Sequence, residues 1–110
     1  MTTNCLFCKI VAGDITSDTT YEDDDVIVFN DIKPMAKVHF LIVPKLHLES
    51  LKSCDKAHQA LLGKMLLLAP KLAEEQGLKG FKTLINTGRE GGQEMFHLHV
   101  HVFGGGLPTV

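Results

Sequence analysis

Histidines alternate with apolar residues in one segment near the C-terminus, residues 97–103, which reads HLHVHVF. In a β-strand, alternate side chains point to the same face of the sheet. A strand over this segment would place its histidines on one face and Leu98, Val100 and Val102 on the other, toward a hydrophobic core. This alternation constrains the fold strongly, because it requires a sheet with one apolar face and one face that carries titratable groups.

The chemistry of imidazole makes the same segment a candidate functional site. Three of the six histidines of the chain, His97, His99 and His101, fall within five consecutive residues. An unperturbed imidazole titrates near pH ~6.5, so it can bind a metal, accept a proton or attack an electrophile. Like charges disfavour the protonation of neighbouring rings. We therefore expect at least one of the three to be neutral at pH 7, and only a neutral ring is a nucleophile.

Composition limits the class of protein. A chain of 110 residues is expected to form one domain, residues 1–110, and its slightly positive mean hydropathy favours an oligomer. A net charge of −2 argues against a nucleic-acid partner. The sequence shows no signal segment and no apolar stretch that could cross a bilayer, so we expect a cytoplasmic protein without a membrane partner. Three cysteines in that compartment do not indicate a disulfide framework.

The periodicity of apolar residues predicts two helices and four strands. Spacings of three and four predict a long amphipathic helix from Leu51 to Gln76, capped by Ser53 or Asp55, ended by Gly77, and kinked or broken at Pro70. The other predicted elements are a short helix over 4–12 that ends at Gly13 and strands over 26–29, 37–43, 80–86 and 97–103. Strands, one long helix and further strands are typical of an α+β fold with an antiparallel sheet. The helix is expected to cover the apolar face, leaving the histidines on the open face.

A glycine-rich loop, residues 86–94, precedes the histidines. Gly91 and Gly92 allow backbone amides to approach a ligand closely, and consecutive amides can bind an anion. A flexible hairpin loop explains the same glycines. The loop is neither a P-loop nor a dinucleotide-binding fingerprint.

The chain resembles a known family in several segments at once. The histidine motif is preceded by Gly-Gly-Gln at 91–93 and followed by Gly-Gly at 104–105, and Asn86 also matches. Residues 29–32 (FNDI) and 38–45 (VHFLIVPK) match two further family segments. On these residues the chain is similar, over nearly its whole length, to the histidine-triad nucleotide-binding family, Hint branch. That resemblance implies an antiparallel five-stranded sheet with one long helix and a short N-terminal helix, and sheets joined across a homodimer.

The resemblance also implies a reaction, the hydrolysis of purine nucleoside phosphoramidates or related AMP conjugates at the α-phosphorus. His99 would be the nucleophile and would form a transient nucleotidyl-histidine. His101 would donate to the phosphoryl oxygens, with Asn86 and the amides near Gly92 as further donors. His39 would orient His101. From the residues alone, a core histidine on an apolar strand is the favoured interpretation of His39.

The same resemblance implies a binding site for an AMP- or GMP-type ligand. Asp31 would accept hydrogen bonds from the ribose hydroxyls, although a turn aspartate is the ordinary alternative. Apolar side chains would enclose the purine, and any one of them is explained as well by core packing; they are Leu6, Phe7, Ile10, Ile15, Phe29 and Ile32.

Two departures from the family leave the leaving group and specificity open. Glu94 stands where many eukaryotic members carry a serine that helps to protonate the leaving amine. A glutamate can also act as a general acid or base, but with a different pKa and reach. The tail, residues 104–110, is short and lacks the aromatic-rich ending of some relatives.

Cys5 and Cys8 form a C-x-x-C pair, which on its own is a weak signal. A closed structural zinc site needs about four nitrogen or sulfur ligands. By resemblance to bacterial relatives and to the galactose uridylyltransferase branch, Cys5, Cys8, His47 and His97 are the expected ligands of a structural zinc. In this assignment His97 binds the metal and His99 attacks phosphorus, so the two side chains face different sites. A flat strand would not allow this, because it points both side chains to the same face. No magnesium or dinucleotide cofactor is implied.

Two other functions remain open at this point. A catalytic metal held by all three histidines of the motif would be a metalloenzyme, but residues i and i+4 of a strand are roughly 13 Å apart. A nucleotide-binding sensor or scaffold module would keep the triad and turn over slowly.

Of the remaining candidate residues, Cys54 is expected in the core, and His58 at the core edge or in a dimer contact.

Overall fold

The computed structural model describes residues 5–106, so the predicted helical residue Asn4 and the tail residues 107–110 lie outside the described part. None of its helices is long and apolar enough to cross a membrane. The elements in chain order are α1 (Leu6–Ala12), β1 (Thr19–Glu22), β2 (Val26–Asn30), β3 (Val38–Pro44), α2 (Gln59–Glu75), β4 (Lys82–Leu84) and β5 (Val100–Gly104), with 3₁₀ turns at Leu51–Ser53, Lys56–His58 and Arg89–Gly91.

The sheet has five strands in the order β1-β2-β3-β5-β4, and all neighbours are antiparallel. The predicted α+β class, the five-stranded antiparallel sheet and the two helices are confirmed. The edge strand β1 was not recognised in the sequence, although its Thr-Thr-Tyr run has the β-branched and aromatic character of a strand. β4 is shorter than the predicted 80–86.

The two faces of the sheet have different partners, as the alternation predicted. On one face Leu98, Val100 and Val102 pack with Met65 and Leu72 of α2 in the main hydrophobic core. The opposite face carries a second cluster made by Phe7, Ile27, Phe29, Leu41 and Val43. The side chain of His99 packs on this second face, against the ring of Phe7.

The predicted strand over 97–103 is wrong for its first three residues, because β5 begins at Val100. The last pair between β3 and β5 joins Ile42 to Val100. Before that pair, the amide of Leu98 donates to the carbonyl oxygen of Leu48 at 2.6 Å rather than to β3. The segment that carries His97 therefore leaves the ladder before the sheet ends.

The long helix begins later than predicted, at Gln59 instead of Leu51. Two 3₁₀ turns occupy the intervening residues, and Ser50, not Ser53, caps the first of them. Asp55 is a cap, as one alternative predicted, but it caps the second turn, where His58 accepts the amide of Asp55 in return. His58 therefore has a capping role, and its half-buried side chain is compatible with the expected core-edge position.

The predicted ends of both helices are confirmed. Gly13 and Gly77 follow α1 and α2 with φ of 83° and 82°, a conformation that favours glycine at a helix end. α2 continues through the exposed Pro70, so the alternative of a break there is wrong.

Candidate active site and metal centre

His99 is held by the backbone of a neighbouring residue in the motif. Its Nδ1 lies 2.7 Å from the carbonyl oxygen of His97. A carbonyl oxygen only accepts, so Nδ1 must carry the hydrogen and donate. The neutral ring then has its lone pair on Nε2, so Nε2 is the nitrogen that could act as a nucleophile.

The surroundings of His99 keep the ring neutral. Its side chain is largely buried, and the ring of Phe7 meets it edge-on with the centroids 5.2 Å apart. Burial lowers the pKa of His99, because it penalises the charged form; the hydrogen bond to His97 and the charge of Asp31 oppose this only in part. The expectation that at least one imidazole is neutral at pH 7 agrees with this direction.

A directed chain of hydrogen bonds runs through His39 to His101. The amide N–H of Met35 donates to Nδ1 of His39 at 3.0 Å. Nε2 of His39 therefore carries a hydrogen and donates to Nδ1 of His101 at 2.9 Å. His101 in turn must hold its hydrogen on Nε2, so it offers an N–H donor.

The pKa values of this pair agree with two neutral rings. Burial lowers the pKa of His101 to about 4, with further contributions from His99 and His39, while Asp31 opposes the shift. Burial also lowers the pKa of His39, again against Asp31. The expected orienting role of His39 has the contact that it requires.

The loop before the motif is fixed by side chains. Asn86 donates from Nδ2 to the carbonyl oxygen of Gly91 at 2.8 Å. Gly92 has a φ of 83°, and a Cβ there would lie 3.3 Å from Nδ2 of Asn86. The predicted Asn86 and Gly92 are therefore neighbours, and the side chain of Asn86 joins the two ends of the loop through its hydrogen bond to Gly91.

Gln93 is a buried member of this loop that sequence reasoning assigned no role. Its Nε2 donates to the carbonyl oxygens of Glu49 and Met95, at 2.6 and 2.9 Å. Its Oε1 accepts the amide of Gly88 at 2.9 Å. The Gly-Gly-Gln run in the sequence marked this residue. Its role could not be predicted from that run, because the hydrogen-bond partner Glu49 is distant in sequence.

The expected nucleotide-binding residues are brought together in part. Phe7 and Phe29 are buried with their ring centroids 5.4 Å apart, and Ile10 packs against the same cluster. Ile32 is 91% exposed and does not pack there. The remaining expected purine contacts, Leu6 and Ile15, are also exposed.

The two carboxylates of the expected site differ in their surroundings. Asp31 accepts the amide of Lys33 at Oδ1, and its Oδ2 lies 3.4 Å from Nε2 of His39. This combines the turn role with a position beside the histidines. Glu94 is exposed, and no hydrogen bond or ion pair within residues 5–106 involves it.

Cys5, Cys8, His47 and His97 form the group that was expected to bind zinc. One ligand atom from each lies within 4.8 Å of all the others. Nδ1 of His97 is 3.2 Å from Sγ of Cys5, 3.5 Å from Sγ of Cys8 and 3.1 Å from Nδ1 of His47. Ligand atoms around a tetrahedral zinc are separated by about 3.3–3.8 Å, close to these distances. The four side chains could hold a metal.

The hydrogen bonding of His97 supports this donor set. Nε2 of His97 donates to the carbonyl oxygen of Pro44 at 2.8 Å, which leaves the lone pair on Nδ1 facing the sulfurs. A second group of potential ligands, Asp31, His39 and His101, is less suited. The amide of Met35 holds His39 with a hydrogen on Nε2, the atom that would have to bind the metal.

The three-histidine metal site considered above is wrong for this structure. His97 faces the cysteines, His99 donates to a carbonyl oxygen, and His101 pairs with His39. Because the chain leaves the ladder before Val100, His97 and His99 face different partners despite their alternate positions.

Comparisons with known proteins agree with this architecture. A family model described as "Scavenger mRNA decapping enzyme C-term binding" matches residues 4–109. The chain is 54% identical over 102 residues to Protein HitA of Neisseria gonorrhoeae, covering 92% of this chain and 95% of that protein. It is 39% identical over 107 residues to the purine nucleoside phosphoramidase of Escherichia coli K12, covering 96% and 90%.

Several solved structures are similar to this chain in both fold and sequence. A HIT family hydrolase from Legionella pneumophila has a TM-score of 0.93 and 40% identity, with 96% of each chain covered. A Zn-bound histidine triad family protein from Mycobacterium smegmatis has a TM-score of 0.83 and 30% identity, covering 96% of this chain and 77% of that one. The sheet, the paired imidazoles and these similarities define a histidine-triad protein. The chain belongs to the histidine-triad (HIT) family.

Proposed function

We propose that the chain is a nucleotide-binding hydrolase that cleaves purine nucleoside phosphoramidates or related AMP conjugates through a nucleotidyl-His99 intermediate. The observation that carries the proposal is the hydrogen bond from Nδ1 of His99 to the carbonyl oxygen of His97 at 2.7 Å. It leaves the lone pair of a buried, neutral ring on Nε2. The name of the E. coli relative, purine nucleoside phosphoramidase, supports the substrate class.

The reaction follows in two displacements at phosphorus. Nε2 of His99 attacks the α-phosphorus and forms the P–N bond, while the bond to the leaving amine breaks and its electron pair departs with the amine nitrogen. The amine takes up a proton as it leaves. Water then attacks phosphorus, the P–Nε2 bond breaks, AMP is released and neutral His99 is regenerated. One proton of the water passes to the group that protonated the amine and restores it.

Fixed donors stabilise the charge that develops on the phosphoryl oxygens. The Nε2–H of His101, whose direction is set by His39, is one such donor. Asn86 would be a second donor, through the Nδ2 hydrogen that Gly91 does not use. The amides of Gly91 and Gly92 donate to carbonyl oxygens of Gly88 and Arg89, so they would have to exchange these hydrogen bonds for the phosphate. Donors that are already oriented need no reorganisation during the reaction, which is why they lower the barrier.

The nucleoside would bind beside these groups. Asp31 would accept hydrogen bonds from the ribose, since its Oδ2 faces His39 on the same side of the sheet. Phe7, Ile10 and Phe29 would form the wall of the purine site. Ile32 would cover the base from its exposed position.

Glu94 would supply the proton to the leaving amine. Its exposure leaves the carboxyl free to reach a bound substrate. Glu94→Gln should slow hydrolysis of adenosine 5′-phosphoramidate but not that of the nitrophenyl ester of AMP, whose leaving group needs no proton. Glu90→Gln, an exposed glutamate of the same loop, is the matched control. Equal slowing of both substrates by Glu94→Gln would contradict this role.

Zinc is the metal that we propose for Cys5, Cys8, His47 and His97. Two sulfurs and two imidazole nitrogens are typical zinc ligands, and a four-ligand set leaves no open position for substrate. The metal would therefore be structural. We also propose a homodimer, as the resemblance to the family implies, and the exposed Leu66 and Leu67 on α2 support it.

The test of the function compares adenosine 5′-phosphoramidate hydrolysis by the wild type, His99→Ala and the control His58→Gln. His58 is a histidine outside the site. Turnover in the wild type and control, its loss in His99→Ala, and an adduct of one AMP moiety on the wild-type chain by intact-mass spectrometry are expected. Full turnover by His99→Ala would refute the mechanism. AMP binding without turnover in any variant would instead support the sensor or scaffold module.

A further inference from the structure

Helix α1 depends on few contacts for its position. It has seven residues, and Phe7 is its buried residue. Isolated helices of this length are not stable in water. Within residues 5–106, the side-chain hydrogen bonds that join this segment to the rest of the protein come from Cys5 and Cys8, which face His47 and His97. The cysteine group therefore supplies the side-chain hydrogen bonds that hold α1, in addition to the packing of Phe7, Ile10 and Val11 in the second cluster.

The same helical turn also contacts the nucleophile. Phe7 lies between the two cysteines in sequence, and its ring meets His99 with a centroid distance of 5.2 Å. It also meets His97 at 5.9 Å and Phe29 at 5.4 Å. One turn thus carries two metal ligands, a packing partner of His99 and a wall of the proposed purine site.

His97 makes a second connection between the two sites. Its Nδ1 faces the cysteine sulfurs and His47. Its backbone carbonyl oxygen accepts Nδ1–H of His99. The residue that faces the metal group with its ring therefore also supplies, from its backbone, the acceptor that orients His99.

We propose that metal binding at Cys5, Cys8, His47 and His97 and nucleotide binding at His99 are thermodynamically coupled, with Phe7 and His97 as the positioning residues. The metal orders α1 and the His97 backbone. The nucleotide then binds a site that is already ordered, so its binding loses less conformational entropy. By linkage, the nucleotide must then tighten metal binding by the same factor that the metal tightens nucleotide binding. This inference rests on the proposed function, because it requires that AMP bind.

The first arm of the test measures AMP affinity by isothermal titration calorimetry on zinc-loaded and chelator-stripped wild-type protein. We expect a loss of about 10-fold on stripping, within the usual range for coupled sites. The second arm measures zinc affinity against a chromophoric chelator with and without AMP, and should show a gain of the same factor. Equal AMP affinity in both forms would overturn the coupling and leave the proposed function intact. Absence of AMP binding to either form would overturn both.

Variants separate coupling from general destabilisation. His47 contacts Cys8 and His97, and its ring is not among the packing partners of Phe7 or His99. His47→Gln should weaken both zinc and AMP binding while circular dichroism still shows the sheet. Cys54→Ser, the matched cysteine control outside the group, should change neither. Loss of the sheet in stripped protein would make the metal a requirement of global folding and would overturn the local coupling.

Discussion

His39 donates its Nε2–H to Nδ1 of His101 across 2.9 Å, between the adjacent strands β3 and β5. The amide of Met35, at 3.0 Å from Nδ1 of His39, excludes the other tautomer of this ring. A backbone amide therefore decides which nitrogen of a second histidine carries its hydrogen. This series of hydrogen bonds ends at the Nε2–H of His101, which can donate a hydrogen bond while the ring is neutral.

Removal of His39 should therefore impair turnover more than binding. In His39→Ala, His101 loses the partner that fixes its tautomer, and we expect kcat to fall by about 10²-fold with KM nearly unchanged. His39→Gln can still donate to Nδ1 of His101 and should recover part of the loss. Steady-state kinetics on adenosine 5′-phosphoramidate measure both. A rise in KM with kcat preserved would contradict an orienting role.

The lowered pKa of His101 predicts that stability falls in mild acid. The pKa is about 4 in the folded protein and about 6.5 in the unfolded chain. Between these values the unfolded state binds more protons, so the free energy of unfolding decreases as pH falls from about 6.5 to about 4. We expect this residue to lower the free energy of unfolding by on the order of 3 kcal/mol across this pH range.

Denaturant unfolding at several pH values checks this dependence. Asp31, His39 and His99 surround His101, and burial lowers the pKa of His39 and His99 in the same direction. His101→Gln should therefore flatten the slope without abolishing it. The control His58→Gln should retain the wild-type slope. An unchanged slope in His101→Gln would refute the assignment.

The cysteine group predicts one zinc per chain. Purified protein should contain stoichiometric zinc by elemental analysis, and Cys8→Ser should contain little, because a four-ligand site does not tolerate the loss of a sulfur. Removal of zinc should lower the melting temperature by mass action, since the metal binds the folded state. Cys54→Ser should retain both metal and melting temperature. Less than about half a zinc per wild-type chain would count against a four-ligand structural site.

Gln93 should contribute to stability and to the geometry of the glycine loop. Its side chain satisfies the carbonyl oxygens of Glu49 and Met95 and the amide of Gly88. Gln93→Ala leaves these groups without that partner, and we expect a loss of about 2–4 kcal/mol in the free energy of unfolding. We also expect lower kcat, because the loop amides shift. The exposed Gln76→Ala is the control, and equal stability of the two variants would contradict this prediction.

The sheet and both of its faces were readable from the sequence because they rest on local patterns. Alternation placed Leu98, Val100 and Val102 against the long helix. The C-x-x-C pair alone was a weak signal, and the four-ligand group was implied by the resemblance to the family. What sequence could not supply were contacts set by tertiary structure. The early departure from the ladder depends on the carbonyl oxygen of Leu48, and the role of Gln93 depends on Glu49.

The ends of the helices and the short elements were harder to predict. The periodicity from Leu51 onward is helical, yet capping by Ser50 and Asp55 divides its first part into 3₁₀ turns. β1 was not predicted because it is short and mostly exposed. It therefore lacks the apolar pattern from which the neighbouring strands were predicted.

The alternation along β5 also acts as a check on correct folding. A slip of one residue in its pairing with β3 would turn the imidazole of His101 into the helix-side core and expose Val100 and Val102. Such a molecule would bury a polar ring without its partner His39, and it would lose the main apolar contacts of the sheet. Misaligned chains should therefore unfold rather than persist as inactive protein, so that the population that survives is the one with its histidines on the correct side.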